Sequence, residues 1–313
     1  MLLLDLVKTK IAVVVLILAA FAVYALRESR LAWSLRLAPS RRAECSLSAV
    51  WRAVGARQNL WSRIGDLNDA FETLQTDPAG FTLIRSGDSR WWVPRRNEMA
   101  LAEMMAEQEA DVYGIEDHGV RSGDVVLDCG ANVGVFTRHA LDRGARTVVA
   151  IEPAPENLEC LRRNFAAEIQ AGRVILYPKG VWDKDEVLHI RTYDLESGGD
   201  SVALQFPGSR EGPTVLLTTI DKLVAELRLD RVDFIKMDIE GAERNALTGA
   251  RESVARFHPR LAISLEHQPD DYEAIGAIVK KQWPGMKSTC GPCKWVNTAL
   301  VHRIQPEELY VSN

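Results

Sequence analysis

Short apolar runs alternate with helical periodicity through the second half of the chain. The apolar runs predict β-strands near residues 125–128, 147–151, 173–177, 234–238 and 260–265. Between them, apolar residues recur every three or four positions, which is typical of helices that cover a sheet. Strands alternating with helices form a mostly parallel sheet with helices on both faces. The pattern therefore predicts an α/β fold.

The region before this alternation reads as helix and short hairpin. Residues 31–75 carry a helical apolar stripe, and residues 97–113 predict another helix rich in Met, Ala and Glu. Residues 81–85 and 91–93 are strand candidates on either side of a Ser86-Gly87-Asp88 turn, so they predict a hairpin.

Two other regions interrupt the alternation. Residues 186–192 and 214–219 are strand-like and flank a Gly- and Pro-rich stretch, residues 197–213. They predict an inserted hairpin with a mobile loop. Residues 298–304 follow a turn-rich connection and predict an antiparallel last strand.

The N-terminus contains a candidate membrane segment. Residues 11–26 are apolar apart from Tyr24, and such a helix rises about 24 Å against a hydrocarbon core of roughly 30 Å. Snorkelling of Lys8 and Lys10 brings it close to spanning length. More Arg follows the run than Lys precedes it, which predicts a cytoplasmic location for the C-terminal bulk.

Two alternatives remain for this segment. Ala20-Phe21-Ala22 resembles a signal-peptide cleavage site, although it lies inside the apolar run rather than after it. A buried core helix is the other alternative. We expect an anchor, because the cofactor inferred below is made in the cytoplasm.

Charge and cysteine content narrow the functional classes. The net charge of −5 combines +6 over the first 60 residues with −11 over the rest. An acidic body argues against nucleic acid as a substrate or partner, and the basic N-terminal portion suits anionic lipid headgroups. Five cysteines, an odd number, indicate reduced thiols rather than a disulfide framework. Cys290 and Cys293 have redox or half-metal-site spacing, and a metal would need a second pair.

The most informative segment is the turn after the first strand of the alternation. Asp128 ends an apolar run, Gly130, Ala131, Asn132 and Gly134 follow, and a helical pattern begins at once. This strand, glycine turn and helix N-terminus form the geometry that holds nucleotide-like cofactors. A βα turn that needs small residues only for packing is the alternative.

The cofactor is not expected to be NAD. That fingerprint is G-x-G-x-x-G, whereas this turn is G-x-N-x-G preceded by an acidic residue, as in enzymes that use S-adenosylmethionine (SAM). Asp128 would then hold the ammonium group of the methionine half, directly or through water. Glu152, which ends the second strand, can accept hydrogen bonds from both ribose hydroxyls.

A second motif spans residues 233–243. Lys236, Asp238 and Glu240 alternate along a strand and its end, so their side chains can converge beside the ends that bear Asp128 and Glu152. His267 ends the next strand and can reach the same place. The alternatives are an ion-pair network that only closes the strand, and a histidine that is only a structural hydrogen-bond donor.

Together, the segments VVLDCGANVGVF, VVAIEP, TTIDKL and DFIKMDIEGAERNAL resemble the FkbM-type family of SAM-dependent methyltransferases. The resemblance covers roughly residues 109–267, and IKMDIEGAE is its specific part. It implies a class I methyltransferase (Rossmann-like) fold and methyl transfer to a hydroxyl of a sugar or polyketide-type compound. It also implies that the cofactor is held by Asp128, Gly130, Ala131, Asn132, Gly134, Glu152 and Pro153. Val181 is a weaker candidate for the adenine, as is Trp182.

These inferences define the expected enzyme. We expect a membrane anchor (1–30), a helical stalk with a hairpin (31–96) and a methyltransferase domain (97–313). The catalytic candidates are Lys236, Asp238, Glu240 and His267, and we assign no metal, although carboxylates there would suit Mg²⁺. The acceptor would be a small molecule, glycan or lipid-linked compound at the cytoplasmic membrane face. An NAD(P)-dependent sugar oxidoreductase and an inactive SAM-binding scaffold are the alternative functions.

Overall fold

The computed structural model describes residues 10, 13–15, 17, 29–94, 98–114, 117–192, 201–204, 209–297 and 301–313. Within these residues, no helix has the length and apolar character needed to cross a bilayer. The predicted anchor lies mostly outside the described residues, and so does much of the predicted mobile loop.

Two capped helices open the described chain. Helix α1 (Arg30–Leu37) is capped by Ser29, which accepts a hydrogen bond from Ala32 N, and a 3₁₀ turn follows it. Helix α2 (Leu47–Ala70) is capped by Ser46 through Ala49 N. These side-chain oxygens satisfy backbone N–H groups that would otherwise lack partners.

A small antiparallel sheet and another helix follow. The sheet contains β1 (Glu72–Thr76), β2 (Phe81–Ser86) and β3 (Ser89–Pro94), and helix α3 spans Glu98–Glu109. The predicted hairpin is confirmed as β2 and β3. The helix predicted as far as residue 75 is wrong at its end, because residues 72–76 form β1. All five residues of β1 are exposed, so burial imposes no alternating pattern that the sequence could show.

The remaining chain builds the central sheet and its covering helices. Its first part contains β4 (Val125–Cys129), α4 (Val135–Asp142), β5 (Thr147–Ile151), α5 (Pro155–Asn164), α6 (Ala166–Gln170), β6 (Val174–Tyr177), β7 (Gly180–Val181), β8 (Glu186–Thr192) and β9 (Arg210–Thr218). Its second part contains α7 (Ile220–Glu226), β10 (Phe234–Met237), α8 (Glu243–Thr248), α9 (Arg251–Phe257), β11 (Arg260–Ser264), α10 (Asp271–Gln282), β12 (Lys287–Cys290), β13 (Cys293–Asn297), β14 (His302–Pro306) and β15 (Glu308–Ser312).

A seven-stranded sheet with the order β12-β15-β11-β10-β4-β5-β6 forms the centre. Strands β6, β5, β4, β10 and β11 are mutually parallel, and β15 is antiparallel to β11. The predicted strands and the mostly parallel sheet are thus confirmed. The strand order reverses direction between β4 and β10, the position at which open α/β sheets bind ligands beyond their carboxyl ends.

Apolar residues cover both faces of this sheet. Because strand side chains alternate, Val126 and Val148 pack in the core on one face while Leu127 and Val149 pack in the core on the other. Burial on both faces explains why the strands read as continuous apolar runs.

The antiparallel last strand is correct in kind but wrong in position. Residues 302–306 form β14, which pairs with β13 in a separate two-stranded sheet. The strand that joins the central sheet is β15, whose pairing with β11 buries Leu309 and Val311 on one face and Tyr310 on the other. The predicted insertion is confirmed as antiparallel β8 and β9, with β7 alongside.

The expectation of five reduced cysteines is also wrong. Cys45 and Cys293 form a disulfide across 248 positions, which joins the start of α2 to the start of β13. Cys290 is exposed and unpaired, whereas Cys129 and Cys160 are buried thiols. The spacing of Cys290 and Cys293 is typical of a redox or half-metal site, and no sequence pattern indicates the long-range contact between α2 and β13 that brings Cys45 to Cys293.

Candidate active site

A tight turn at the end of β4 forms one wall of the candidate site. Gly130, Asn132 and Gly134 all have φ in the left-handed region, at +82°, +49° and +99°. A Cβ on Gly130 would lie 2.0 Å from the carbonyl oxygen of Asp238, so only glycine lets the end of β10 approach this turn. Gly130, Ala131 and Asn132 line a cavity of about 560 Å³.

Glu152, at the end of β5, also lines this cavity. Its carboxylate accepts hydrogen bonds from Asn132 N at 2.9 Å and from Ala154 N at 2.8 Å. These two bonds fix its orientation and join the β4 turn to the β5 end. Pro153, another predicted cofactor residue, lines the same cavity.

Two predicted cofactor residues do not reach the cavity. The side chain of Asp128 is fully buried beneath the turn, where its Oδ2 accepts a 2.6 Å hydrogen bond from Thr137. Gly134 caps α4, and a Cβ there would lie 2.2 Å from a ring carbon of Phe165. The structure thus places Asp128 beneath the turn and Gly134 in a packing contact, and their assignment to the cofactor stays a prediction.

Lys236 connects the turn to the second motif. Its ammonium group donates to Gly130 O at 2.9 Å and lies 3.6 Å from Asp128 Oδ1 and 3.7 Å from Asp238 Oδ2. Burial alone would lower the pKa of Lys236, but Asp238 and Asp128 outweigh burial and raise it. Lys236 therefore remains a cation and holds together two strand ends that carry carboxylates.

Asp238 projects from the end of β10 into the cavity. Its Oδ2 accepts a 2.8 Å hydrogen bond from the hydroxyl of Tyr113. Burial favours a higher pKa for Asp238, but Lys236, His267 and the Tyr113 hydrogen bond outweigh it and lower the pKa. Asp238 is therefore ionised at neutral pH and available to accept a proton or a cation.

His267 lies between carboxylates beyond the end of β11. Its Nδ1 is 3.1 Å from Glu243 Oε1, and its Nε2 is 3.5 Å from both Asp238 Oδ1 and Glu240 Oε2. Burial would lower its pKa, but Glu243 and Glu240 outweigh burial and raise it well above the usual value. The imidazole is thus protonated in this arrangement, so Asp238 is the better candidate for a general base.

Glu240 owes its position to an unusual backbone. Its φ is +53° and that of the next residue, Gly241, is +92°, so the chain turns sharply after β10. The Ser201 hydroxyl donates a 2.6 Å hydrogen bond to the Glu240 carbonyl and holds this turn. Burial raises the pKa of Glu240, and the charge of His267 opposes that rise.

The cavity has one apolar region and one acidic region. Apolar side chains from β7 and the insertion, with Pro153, line the first region: Val181, Ile190 and Val202. Trp182 is not among the lining residues. Beyond Asp238 the lining is acidic and includes Glu107, Glu266 and Glu307. Burial, reinforced by Glu307, raises the pKa of Glu266 to about 8.

Sequence reasoning missed several of these residues. Helix α3 supplies a wall of the cavity through residues at helical spacing, including Ala100, Glu103, Met104 and Glu107. Tyr113 lies just beyond α3 and contacts the motif 125 positions later. The composition of residues 97–113 predicted only a helix rich in Met, Ala and Glu. Nothing local marked one of its faces as a cavity wall.

In chemical terms, the site has two parts. The β4 turn and the Glu152 carboxylate suit a nucleoside, and beside them lie the ionised Asp238, the cationic Lys236 and the protonated His267. This set can hold a cationic cofactor, accept a proton from a hydroxyl and orient an acceptor. The apolar region suits a base ring.

Comparison with known proteins gives the family. Residues 128–283 match the Methyltransferase FkbM domain. The "31-O-demethyl-FK506 methyltransferase FkbM" of Streptomyces tacrolimicus is 29% identical over 242 residues, which cover 68% of this chain and 87% of that relative. This agreement favours the methyltransferase interpretation over the oxidoreductase one.

Two solved structures complete the comparison. The methyltransferase FkbM from Methylobacillus flagellatus KT is 18% identical, with a TM-score of 0.47, and the alignment covers 84% of this chain and 60% of that one. TYW2 from M. jannaschii, solved in complex with AdoMet, is 13% identical, with a TM-score of 0.38 and coverage of 74% and 84%. The family match and the relative from Streptomyces tacrolimicus identify the chain, through residues 128–283, as a member of the FkbM family of methyltransferases.

Proposed function

We propose that the chain transfers a methyl group from SAM to a hydroxyl oxygen. One observation carries the proposal: the β4 turn, Glu152 and Asp238 all line one cavity. This cavity lies at the ends of β4 and β10, where the strand order of the sheet changes direction. Cofactors bind at such positions, and a carboxylate at the end of the second strand suits ribose hydroxyls.

The residues present fit SAM. Glu152 would hold the ribose, the turn at Gly130–Asn132 the methionine half, and the apolar region with Pro153 and Val181 the adenine. The acidic lining suits a cofactor that carries both an ammonium and a sulfonium. SAM supplies an activated methyl group on that sulfonium. Asp128 and Lys236 support the turn from below rather than touching the cofactor.

Asp238 is the proposed general base. It is ionised and lies on the cavity wall, so it can take the proton from an acceptor hydroxyl; such bases contribute about 10²–10⁴-fold. Tyr113 and Lys236 hold its Oδ2 and leave Oδ1 directed towards His267. His267 and Glu240 would orient the acceptor.

The acceptor is proposed to be a sugar, glycolipid or polyketide-type compound at the cytoplasmic membrane face. The name of the Streptomyces tacrolimicus relative describes a methyltransferase for an O-demethyl compound, which supports oxygen as the acceptor atom. Exposed Leu31, Leu35, Leu47 and Trp51 on α1 and α2 support a location at a lipid surface.

Calorimetric titration with SAM tests the cofactor site. We expect Glu152→Ala to weaken SAM binding at least 100-fold, because the carboxylate that orients the ribose is lost. The matched control is Glu252→Ala, which removes an exposed carboxylate from α9 and should bind SAM normally. Equal SAM affinity in both variants would contradict the assigned site.

Transfer of labelled methyl from SAM into fractionated membrane lipids and glycans tests the reaction. We expect label in a hydroxyl-bearing acceptor, and we expect Asp238→Asn to lower turnover by 10²-fold or more with SAM affinity largely preserved. Label on nitrogen or carbon would exclude O-methylation.

A further inference from the structure

We propose that Asp238, Glu240 and His267 form a binding site for a divalent cation of the Mn²⁺ class. One ligand atom from each of the three side chains lies within 4.8 Å of the others, on the wall of the cavity. The donor set of two carboxylates and one imidazole is chemically mixed, as expected for a first-row divalent cation rather than for Ca²⁺.

The separations between donor atoms favour a shared cation over hydrogen bonds. His267 Nε2 lies 3.5 Å from Asp238 Oδ1 and 3.5 Å from Glu240 Oε2. An N–H···O hydrogen bond spans about 2.7–3.2 Å, so both distances are too long. Two ligands at about 2.1 Å from one metal lie roughly 3.0–3.4 Å apart, close to both separations from His267 Nε2.

His267 is buried and directed into the cluster. Its relative exposure is 6%, and its Nε2 faces Asp238 and Glu240. Glu243, which is fully buried on α8, lies behind it with Oε1 at 3.1 Å from Nδ1. Metal-ligating histidines characteristically have a carboxylate at the second ring nitrogen. A cation at Nε2 would displace the proton that this nitrogen carries in the metal-free cluster, while Nδ1 keeps its proton beside Glu243.

A second group, Glu243, His267 and Asp271, also lies close enough to hold a cation, but its contacts make it the poorer candidate. Asp271 also lies close to His267 and Glu243, but its oxygens are engaged by Arg244 at 2.9 Å and by Gln268 N at 2.6 Å. Asp238, in contrast, uses Oδ2 for Tyr113 and directs Oδ1 towards His267. Tyr113 and Glu243 would therefore hold the ligands from outside the coordination sphere.

Three protein ligands leave coordination positions open on the cavity side. An oxygen of the acceptor can occupy one of them, which would hold the acceptor next to the cofactor region. With the cation bound, Asp238 Oδ1 would serve as a ligand, and the cation would replace Asp238 in promoting loss of the acceptor's proton. This role rests on the proposed methyl transfer, whereas binding of the cation does not. The two are therefore tested separately.

Titration of the full chain with Mn²⁺ in detergent micelles, followed by electron paramagnetic resonance, tests the site. We expect one Mn²⁺ per chain, with affinity lowered at least 100-fold in Asp238→Asn and His267→Gln and about 10–100-fold in Glu243→Gln. The bound ion should show nitrogen modulation from one imidazole, which His267→Gln removes. A diffuse acidic surface would not give that signal.

Asp185→Asn is the matched control, because it removes one carboxylate charge outside the cavity and should leave Mn²⁺ affinity unchanged. Circular dichroism and SAM titration of every variant identify misfolded protein. Failure of the folded wild type to bind Mn²⁺, or equal affinity in Asp238→Asn and Asp185→Asn, would overturn the site. A chain that binds SAM but not Mn²⁺ loses only this proposal, and one that binds Mn²⁺ but not SAM loses only the cofactor assignment.

Discussion

Gly130 determines how closely two strand ends approach each other. Its missing Cβ leaves room for the Asp238 carbonyl, and its own carbonyl accepts a hydrogen bond from Lys236. We expect Gly130→Ala to unfold the chain at urea concentrations at which the wild type is folded. Gly130 has φ of +82°, and a Cβ there would lie only 2.0 Å from the backbone oxygen of Asp238, a clash that no side-chain rotation relieves.

Gly172→Ala separates the effect of a positive φ from the effect of a clash between the new Cβ and the backbone. Gly172 has φ of +69°, but a Cβ there meets nothing within 4 Å, so only backbone strain of about 1–2 kcal/mol applies. Urea unfolding should therefore give a clearly larger loss of stability for Gly130→Ala. Equal losses would mean that the β4–β10 approach is not tight.

The same contacts show which residues a sequence can reveal. The Gly130 turn and the Lys236–Asp238–Glu240 alternation were predictable, because local geometry and strand periodicity place them. The burial of Asp128 was not, because its Lys236 partner is 108 positions away. Tyr113 was missed for the same reason: its contact with Asp238 depends on tertiary packing.

Among the elements, strands buried on both faces were predicted best. Strands β4, β5, β10 and β11 consist mostly of apolar residues, and their positions are visible in the sequence. The edge of the sheet was harder to predict. Strand β15 begins with the buried Glu308, which pairs with Lys294 at 3.1 Å, so a charged residue occupies a place that the pattern assigns to a loop.

Among the contacts between elements, the disulfide that joins α2 to β13 should have the clearest effect on the free energy of unfolding. The Cys45–Cys293 disulfide closes a loop of 248 positions, and long loops gain most from such closure. We expect the double variant Cys45→Ser with Cys293→Ser to lose about 2–4 kcal/mol of stability in urea unfolding without reductant.

Cys290→Ser provides the comparison for this variant, since it removes an exposed thiol outside the disulfide. It should unfold at the wild-type urea concentration, and dithiothreitol should lower the wild-type midpoint to that of the double variant. If reductant leaves the wild-type midpoint unchanged, the bond contributes nothing to stability.

For the molecule as a whole, the exposed apolar residues of α1 and α2 form the surface through which we propose that it contacts a membrane. Leu31 and Leu35 lie one turn apart on α1, and Leu47 and Trp51 one turn apart on α2. All four are exposed, and Arg30 connects the helices by donating to the Trp51 carbonyl at 2.8 Å. Exposed leucines and tryptophan beside arginines suit the headgroup region of an anionic bilayer.

An environment-sensitive dye on Leu35→Cys, in a full chain that also carries Cys290→Ser, tests this orientation. We expect its emission to shift to the blue on reconstitution into anionic vesicles, because the dye enters the lipid interface. The same dye on Leu216→Cys is the control: Leu216 is 53% exposed, but it lies on β9 in the insertion, away from α1 and α2. An N-terminal membrane anchor, if it exists, would tether both labelled variants to the vesicle. A difference in emission between the two positions would therefore report which surface lies against the lipid. Equal shifts at both positions, or a shift at Leu216 alone, would contradict a membrane contact through α1 and α2.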